Sequence, residues 1–306
     1  MKDRVSQEDY LLIHELQEIC SQYEQITLKL ELEYKLGCAA NKVKEIDNYD
    51  IHEFMYFDGK QLVGYIGMCS FGGTAAPFEI TGMVHPEYRR QGIASKLYEL
   101  VIAECKRRKA GNILALSDKK SISGQSFLER VKGAYQYSEF EMYLQNANCE
   151  NDEEMLCGIK FRKATNEDAC EIARQNEIYF GDHVEQENND ATNGRLILPE
   201  EEERRGMTIY LVEKNHQTIG KVHLQVFNGI GGIYGLGVLP ENRGKGFGRA
   251  ILLQSIEKLK DLNAKEIMLQ VAAENEKALS LYKVCGFHET SVMDYFVIGS
   301  EMRQPG

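Results

Sequence analysis

Two stretches, VHPEYRRQGIASKL beginning at Val84 and VLPENRGKGFGRAI beginning at Val238, repeat one another at a constant offset of 154 residues. Val84, Pro86, Glu87, Arg89 and Gly92 fall on Val238, Pro240, Glu241, Arg243 and Gly246, and Ala94 falls on Gly248. Outward from this pair the match continues in the same order. Gly64 of QLVGYIGM aligns with Gly220 of QTIGKVHL, and Gly133 with Gly286. A period this long marks a duplicated domain, not a stacked solenoid unit. A chain of 306 residues, 43% of them hydrophobic, can build two ordinary cores.

The patterns around the repeat read as a mixed α/β fold made twice. The polar, acidic stretch 145–158 separates the copies, giving an N-terminal domain over 1–148 and a C-terminal one over 157–306. In the second copy Ile159 and Phe161 alternate with charged neighbours as a strand does, and Thr165 with Asp168 opens a helix as a capping-box variant. TIYLVEK and TIGKVHLQVF follow as a strand pair turning at Asn215-His216-Gln217, and GGIYGLGVL runs into the repeated motif. Leu252, Ile256 and Leu259 form the apolar stripe of the next helix, with Ile93, Leu97 and Leu100 read as the same stripe in the first copy. Ile26 to Leu36 alternates apolar and polar residues like a strand, yet its Leu, Lys and Glu favour a helix, which is the expectation adopted. Only Met1 to Arg4 precede the helix cap at Ser6, so the first copy is expected to lack its first strand.

Composition excludes several classes. No run approaches the roughly 18 apolar residues that a membrane span needs, and Met1 is followed by Lys-Asp-Arg without a leader-like apolar stretch. A cytoplasmic protein is expected. The eight cysteines show neither C-x-x-C pairs nor histidines at ligand spacing, so no metal site is expected and the thiols read as reduced. The net charge of −11 argues against a nucleic-acid partner and is compatible with a cationic amine substrate or with an ordinary acidic surface.

The turn Arg243-Gly244-Lys245-Gly246-Phe247-Gly248, between a strand and an amphipathic helix, suits an anion. Glycines let backbone N–H groups converge on phosphate oxygens, and the helix N-terminus adds partial positive charge. The same glycines also suit a plain tight turn. Walker loops require G-x-x-x-x-G-K-[ST] and dinucleotide folds G-x-G-x-x-G, and the glycines at 244, 246 and 248 fit neither.

Arg243-x-x-Gly246-x-Gly248 after Val238, and Arg89-x-x-Gly92-x-Ala94 after Val84, resemble the acetyl-CoA signature [QR]-x-x-G-x-[GA] of the GNAT superfamily of N-acetyltransferases. Asn275-x-x-Ala278-x-x-Leu281-Tyr282-x-x-x-Gly286-Phe287 resembles that family's second CoA signature without a mismatch. The resemblance implies two GNAT-like acyl-CoA N-acyltransferase domains in tandem, with acetyl-CoA as acetyl donor and a small-molecule or peptide amine as acceptor. It implies that Val238 and Leu239 offer main-chain groups to the pantetheine arm and that Arg243, Gly244, Lys245, Gly246, Phe247, Gly248 and Arg249 wrap the pyrophosphate. It also implies that Asn275 bonds the pantetheine and that Tyr282 protonates the departing thiolate, although a helix cap and a core ring are the plainer roles of those two. An acceptor amine also needs a base or a water chain to take its proton; His223 and Tyr234 lie on strands able to border an acceptor site, but a half-buried strand residue is the plainer role of each and neither is assigned as the base.

The first copy keeps the phosphate turn, so Val84, Arg89, Arg90, Gly92 and Ala94 make a possible second site. It departs from the second signature: with Gly133 as counterpart of Gly286, Glu129 stands in place of Tyr282, Ile122 in place of Asn275 and Ala134 in place of Phe287. Chemistry is therefore expected in the C-terminal copy, with the first degenerate. The alternative function is a non-catalytic acyl-CoA-binding regulatory or scaffolding module.

Overall fold

A computed structural model describes residues 1–40, 52–70, 77–111, 113–145, 158–180, 196 and 198–299. The chain divides into two compact units: one runs from Met1 to Glu139 and resumes at Ser291, and the other is continuous from Phe140 to Thr290. This division differs from the linear halves of the duplication because each unit completes its sheet with part of a long strand. Most of the separator expected at 145–158 lies outside the described residues.

In the first unit, helix α1 (Gln7–Glu24) starts at a capping box, with Asp9 N–H donating to the Ser6 hydroxyl at 3.1 Å and Ser6 N–H to the Asp9 carboxylate at 3.1 Å. Before it, Lys2 makes only an isolated bridge to Glu53, so no regular strand precedes the helix. The alternating segment divides: residues 26–31 are non-helical, and helix α2 (Leu32–Ala40) begins only afterwards. Gln25 and Glu31 bracket the segment with φ of 55°. Leu30 and Leu32 are buried beside Leu16 and Tyr65, while Lys29 reaches the Tyr295 hydroxyl at 2.6 Å. Tertiary burial of alternate leucines overrides helix propensity here.

Strands β1 (Glu53–Asp58), β2 (Gln61–Cys69) and β3 (Phe78–Val84) are antiparallel neighbours, and β4 (Ile113–Asp118) lies parallel to β3. Between them runs α3 (Ile93–Arg107), and α4 (Ile122–Arg130) leads to β5 (Ala134–Leu144). The buried stripe of α3 is Ile93, Leu97, Val101 and Cys105, whereas Leu100 is 39% exposed. The expected stripe thus holds for its first two members and steps to Val101 at the third, as an i, i+4 row requires. Residues 293–298 of the last strand, β11 (Phe287–Ile298), pair antiparallel with β4 and complete this unit's sheet.

The second unit contains β6 (Ile159–Lys163), α5 (Ala169–Phe180), α6 (Pro199–Arg204), β7 (Met207–Lys214), β8 (Gln217–Phe227), β9 (Ile230–Val238), α7 (Phe247–Asp261), β10 (Glu266–Ala272) and α8 (Glu276–Val284). Asp168 accepts from Thr165 N–H at 2.8 Å within the expected capping box. The β7–β8 turn places Asn215 and His216 at φ of 50° and 62°, the paired left-handed geometry of a type I′ hairpin. Strands β6 to β9 form an antiparallel meander, β10 is parallel to β9, and residues 140–144 of β5 lie beyond β10. Val222, Leu224, Ile233, Ile251, Leu252, Ile256, Leu259 and Leu269 fill the core between this sheet and α7.

Candidate active site

In both units the two parallel strands pair only near one end. β9 and β10 are in register from Ile230 with Glu266 to Ile233 with Leu269, and β3 and β4 from Phe78 with Ile113 to Ile80 with Ala115. Beyond those pairs the strands carry no mutual register, which leaves an opening lined by main-chain groups of β9 and β3. Leu239 N–H donates to the Ile219 carbonyl at 2.9 Å across the Gly220–Val238 pair. That bond makes Gly220–Val238 a non-hydrogen-bonded pair, so the N–H and C=O of Val238 face away from β8 and toward the opening. The Val238 carbonyl accepts from Arg243 Nε at 2.9 Å, which leaves the N–H as the available donor.

Leu239 departs from its expected role. Its N–H is spent on Ile219, its carbonyl accepts from Asn242 N–H at 2.8 Å, and its side chain is buried. Arg243 likewise turns its Nε to the strand end. Lys245 bends back to the Glu241 carbonyl at 2.8 Å, so both basic side chains brace the turn.

The turn itself is shaped for an anion. Gly244 and Gly246 adopt φ of 73° and 80°, and Gly246 stands at the N-cap of α7 without a side-chain cap. No acidic residue lies in that first turn, whereas Ser6 and Asn275 cap their helices. The N–H groups of Phe247, Gly248 and Arg249 therefore keep the free donors of a helix start. Arg249 adds a buried Nε that bonds none of the described residues. The uncapped amides of this helix start fit a phosphate-bearing substrate.

Asn275 caps α8 by accepting from Ala278 N–H at 3.1 Å, leaving its amide nitrogen as a donor. Tyr282 lies two turns on, 8% exposed and edge-on to Phe287 with ring centres 6.2 Å apart. Its hydroxyl bonds none of the described residues, and burial pushes the phenol up to about 12, so it stays protonated at neutral pH. The plain roles of both residues, cap and core ring, are thus present together with the donors that the signature needs.

The two units differ around the opening. In the second unit the β8–β9 register shifts between Lys221 and His223, and Gly235 takes φ of 53° at this bulge. In the first unit β2 and β3 stay in unbroken register from Gly64 with Val84 to Cys69 with Glu79. The Arg89 turn is built alike: Arg89 Nε donates to the Val84 carbonyl at 3.0 Å, Arg90 and Gly92 adopt φ of 64° and 82°, and α3 starts uncapped. However, Glu24 of α1 pairs with Arg89 and accepts from the Ser121 hydroxyl at 2.8 Å, while Thr27 N–H donates to Asp118 at 2.8 Å. The chain's own carboxylate thus lies between the turn and the start of α4.

The helix ends also correct the alignment of the second signature. Ser121 caps α4 as Asn275 caps α8, and Lys132 has the left-handed φ of 56° that Gly286 has at 91°. The offset is again 154, so Leu128, buried in the core, replaces Tyr282, and Glu129 is an exposed neighbour. Gly133 had suggested a register one residue out, since the left-handed position is held by a lysine.

Sequence reading missed Lys221. It is fully buried on β8, with Nζ 3.2 Å from His223 Nε2 and 3.2 Å from the Gly235 carbonyl, and with the Tyr179 and Phe180 rings at 5.6 and 5.7 Å. The signal was available: in Ile219-Gly220-Lys221-Val222-His223-Leu224 the lysine sits mid-strand among apolar residues. Tyr234, paired with His223 across the strands, donates its hydroxyl to Met268 Sδ at 3.7 Å.

The chain matches the acetyltransferase (GNAT) family over residues 13–132 and again over 168–287. It is 29% identical over 239 residues to a mycothiol acetyltransferase of Pseudarthrobacter chlorophenolicus, covering 75% of this chain and 72% of that one. To a mycothiol acetyltransferase of Streptomyces coelicolor it is 27% identical, with 79% of each chain covered. Its fold resembles a GCN5-related N-acetyltransferase from Sphaerobacter thermophilus, with a TM-score of 0.66 at 17% identity over 96% of this chain and 93% of that one. It also resembles a tandem GNAT protein from the clavulanic acid biosynthesis pathway, with a TM-score of 0.63 at 13% identity over 95% of each. A duplicated fold, a duplicated phosphate turn and two successive family matches agree: the chain is an acetyl-CoA-dependent acyltransferase with two tandem domains, and it belongs to the acetyltransferase (GNAT) family.

Proposed function

We propose that the C-terminal domain, expected from residue 157 onward, transfers acetyl from acetyl-CoA to a primary amine by direct attack, and that the domain over 1–148 is a degenerate copy. The observation that carries this reading is the asymmetry of the openings: a strand N–H faces each of them, at Val238 and at Val84, but among the described residues the bulge at Gly235 and the Tyr282 phenol accompany it only in the second unit. The names of the mycothiol acetyltransferase relatives support a small-molecule acceptor.

In this mechanism the amides of Gly244 to Arg249, with Arg249 Nε, hold the pyrophosphate, and the Asn275 amide nitrogen donates to the pantetheine arm. Val238 N–H donates to the thioester oxygen as negative charge develops there, in the manner of an oxyanion-hole donor. The amine nitrogen forms its bond to the acetyl carbon, the carbon–sulfur bond breaks as Tyr282 gives its proton to the leaving sulfur, and the proton that the nitrogen sheds on becoming an amide is returned to the Tyr282 phenolate through solvent. Among its described residues the first unit has neither the phenol nor the bulge, and Glu24 occupies the corresponding place between Arg89 and Ser121. The test is thiol release from acetyl-CoA across a panel of primary amines. Amine-dependent release that survives Arg89→Ala and falls in Arg243→Ala supports the reading, and the opposite pattern would move the chemistry to the first unit.

A further inference from the structure

An alkylammonium with a pKa of about 10.4 has no lone pair at neutral pH, so an acceptor amine must lose a proton before it attacks. The groups that flank the β9 bulge in the second unit are unusual for an acidic protein: a fully buried lysine is bonded by no carboxylate among the described residues. From β9 it meets the Gly235 carbonyl, from α5 the rings of Tyr179 and Phe180, and from its own strand the His223 ring. Tyr179 turns its hydroxyl to Gln175 at 2.9 Å, and Gln175 in turn donates to Glu171 at 2.7 Å, so that carboxylate is held at one remove. A Cβ on Gly235 would stand 3.2 Å from Lys221 Nζ and 3.4 Å from His223, so the bulge glycine makes room for the pair.

Taking the C-terminal opening as the working site, we propose that His223 and Lys221 form a proton-accepting dyad for the acceptor amine, His223 taking the proton and Lys221 receiving it through the ring. Burial lowers the Lys221 amine to about 7, and burial together with Lys221 lowers His223 well below its usual value, so the neutral pair is accessible at physiological pH. In that state His223 Nε2–H donates to the unprotonated Lys221 amine, and Nδ1, which bonds none of the described residues, is free to accept. The proton leaving the acceptor ammonium binds Nδ1 as the Nε2 proton passes to Nζ. The ring ends neutral in its other tautomer, and the ammonium is held by the Gly235 carbonyl and the two aromatic faces. The reverse path returns the proton to solvent once the amide has left. His223 would touch the substrate, and Lys221 acts through it as a positioning and storage group.

The experiment measures thiol release from acetyl-CoA against pH, with glucosamine, lysine, spermidine and S-methylcysteine as amines, for the wild type, Lys221→Met and His223→Gln. The wild-type rate is expected to rise with an inflection near neutrality, and both variants to lose that inflection and about 10²–10⁴-fold in kcat with little change in the KM for acetyl-CoA. Acetyl-CoA binding by calorimetry and the melting curve check that each variant is folded. If only Lys221→Met fails to fold, His223→Gln decides, because its exchange leaves the lysine in place. Variants that keep the wild-type rate and pH profile would overturn the dyad while leaving acetyl transfer intact. A wild type that releases no thiol with any of the amines would sink the proposed transfer and the dyad with it.

Discussion

The Glu24 carboxylate and the Ser121 hydroxyl, 97 residues apart in sequence, are joined at 2.8 Å, and the same carboxylate pairs with Arg89 of the first phosphate turn. The bonds to Ser121, to Ser123 and to Arg89 outweigh burial and lower its pKa, so it is an anion wherever the protein is stable at neutral pH. A charge already in that place repels another. Acetyl-CoA is therefore expected to bind once per chain in titration calorimetry and to slow hydrogen exchange at residues 238–249 and 275–282, with 84–94 unchanged. Two equivalents bound, or protection at 84–94, would contradict this.

Tyr282→Phe keeps the ring against Phe287 and removes only a hydroxyl that no described residue bonds. Melting should barely change, while kcat falls about 10²–10⁴-fold with KM for acetyl-CoA nearly constant. Near-normal turnover, with product release shown not to limit it, would reduce Tyr282 to a core ring. Glu129→Gln should be silent in the same assay.

Arg243→Ala removes the Nε bond to the Val238 carbonyl and with it the brace between the strand end and the turn. A hydrogen bond from a charged donor is worth about 1.5–3 kcal/mol, which corresponds to roughly 10- to 100-fold weaker acetyl-CoA binding by calorimetry. Unchanged affinity would show that the turn holds its shape without the arginine.

Lys221 and Glu79 make opposite contributions to stability as pH changes. The folded Lys221 amine, near 7, lies below its unfolded value of 10.5, so the unfolded chain holds more protons between those values and the second unit gains stability as pH rises through them. Burial pushes Glu79 up to about 7, against the pull of Lys29 and with help from Glu139 and Glu31, so the first unit loses stability as pH rises from 4.5 to 7. In chemical denaturation, Lys221→Met should exceed the wild type most below pH 7 and converge on it toward pH 10.5. Glu79→Gln should flatten the decline between pH 4.5 and 7. Parallel wild-type and variant curves would refute these assignments.

Gly220 and Gly64 hold equivalent places opposite Val238 and Val84, but alanine should be tolerated unequally. At Gly220 the new Cβ would meet the Gly237 carbonyl oxygen at 2.2 Å, and backbone cannot swing aside. At Gly64 it would meet Ile93 Cγ2 at 2.7 Å and Leu97 at 3.2 Å, side chains that can shift. Gly220→Ala should cost the second unit more than the typical overpacking penalty of about 1–3 kcal/mol, and Gly64→Ala should fall within it. Equal melting shifts would sink the distinction.

The duplication, the alternation of strands and helices and the two phosphate turns were legible because each depends on local spacing: valine ending a strand, glycine where φ turns positive, apolar residues every third or fourth place. What was not legible depends on partners far along the chain. Leu28 and Leu30 beside Lys29 read as helix formers until distant packing fixes them in a non-helical stretch. Leu239 looked like a main-chain contributor because no motif records that both of its polar groups are already bonded. The register of α4 was misjudged through Gly133 because Lys132, a residue type that seldom adopts positive φ, holds that position. Lys221 escaped notice since a lysine in a strand is ordinarily a solvated one, and only the bulge and the rings of α5 make it a buried amine.

The unit that begins the chain closes its sheet with residues 293–298, against β4, while the unit from Phe140 to Thr290 is continuous. On a ribosome the usual order, in which the earlier domain folds first, is therefore reversed. The later-made unit can finish as soon as Thr290 is free, and the earlier one must wait with β4 unpaired on one side until the final strand emerges. Ending translation just after Thr290 would release a chain whose second half is whole and whose first half offers an open edge to aggregation.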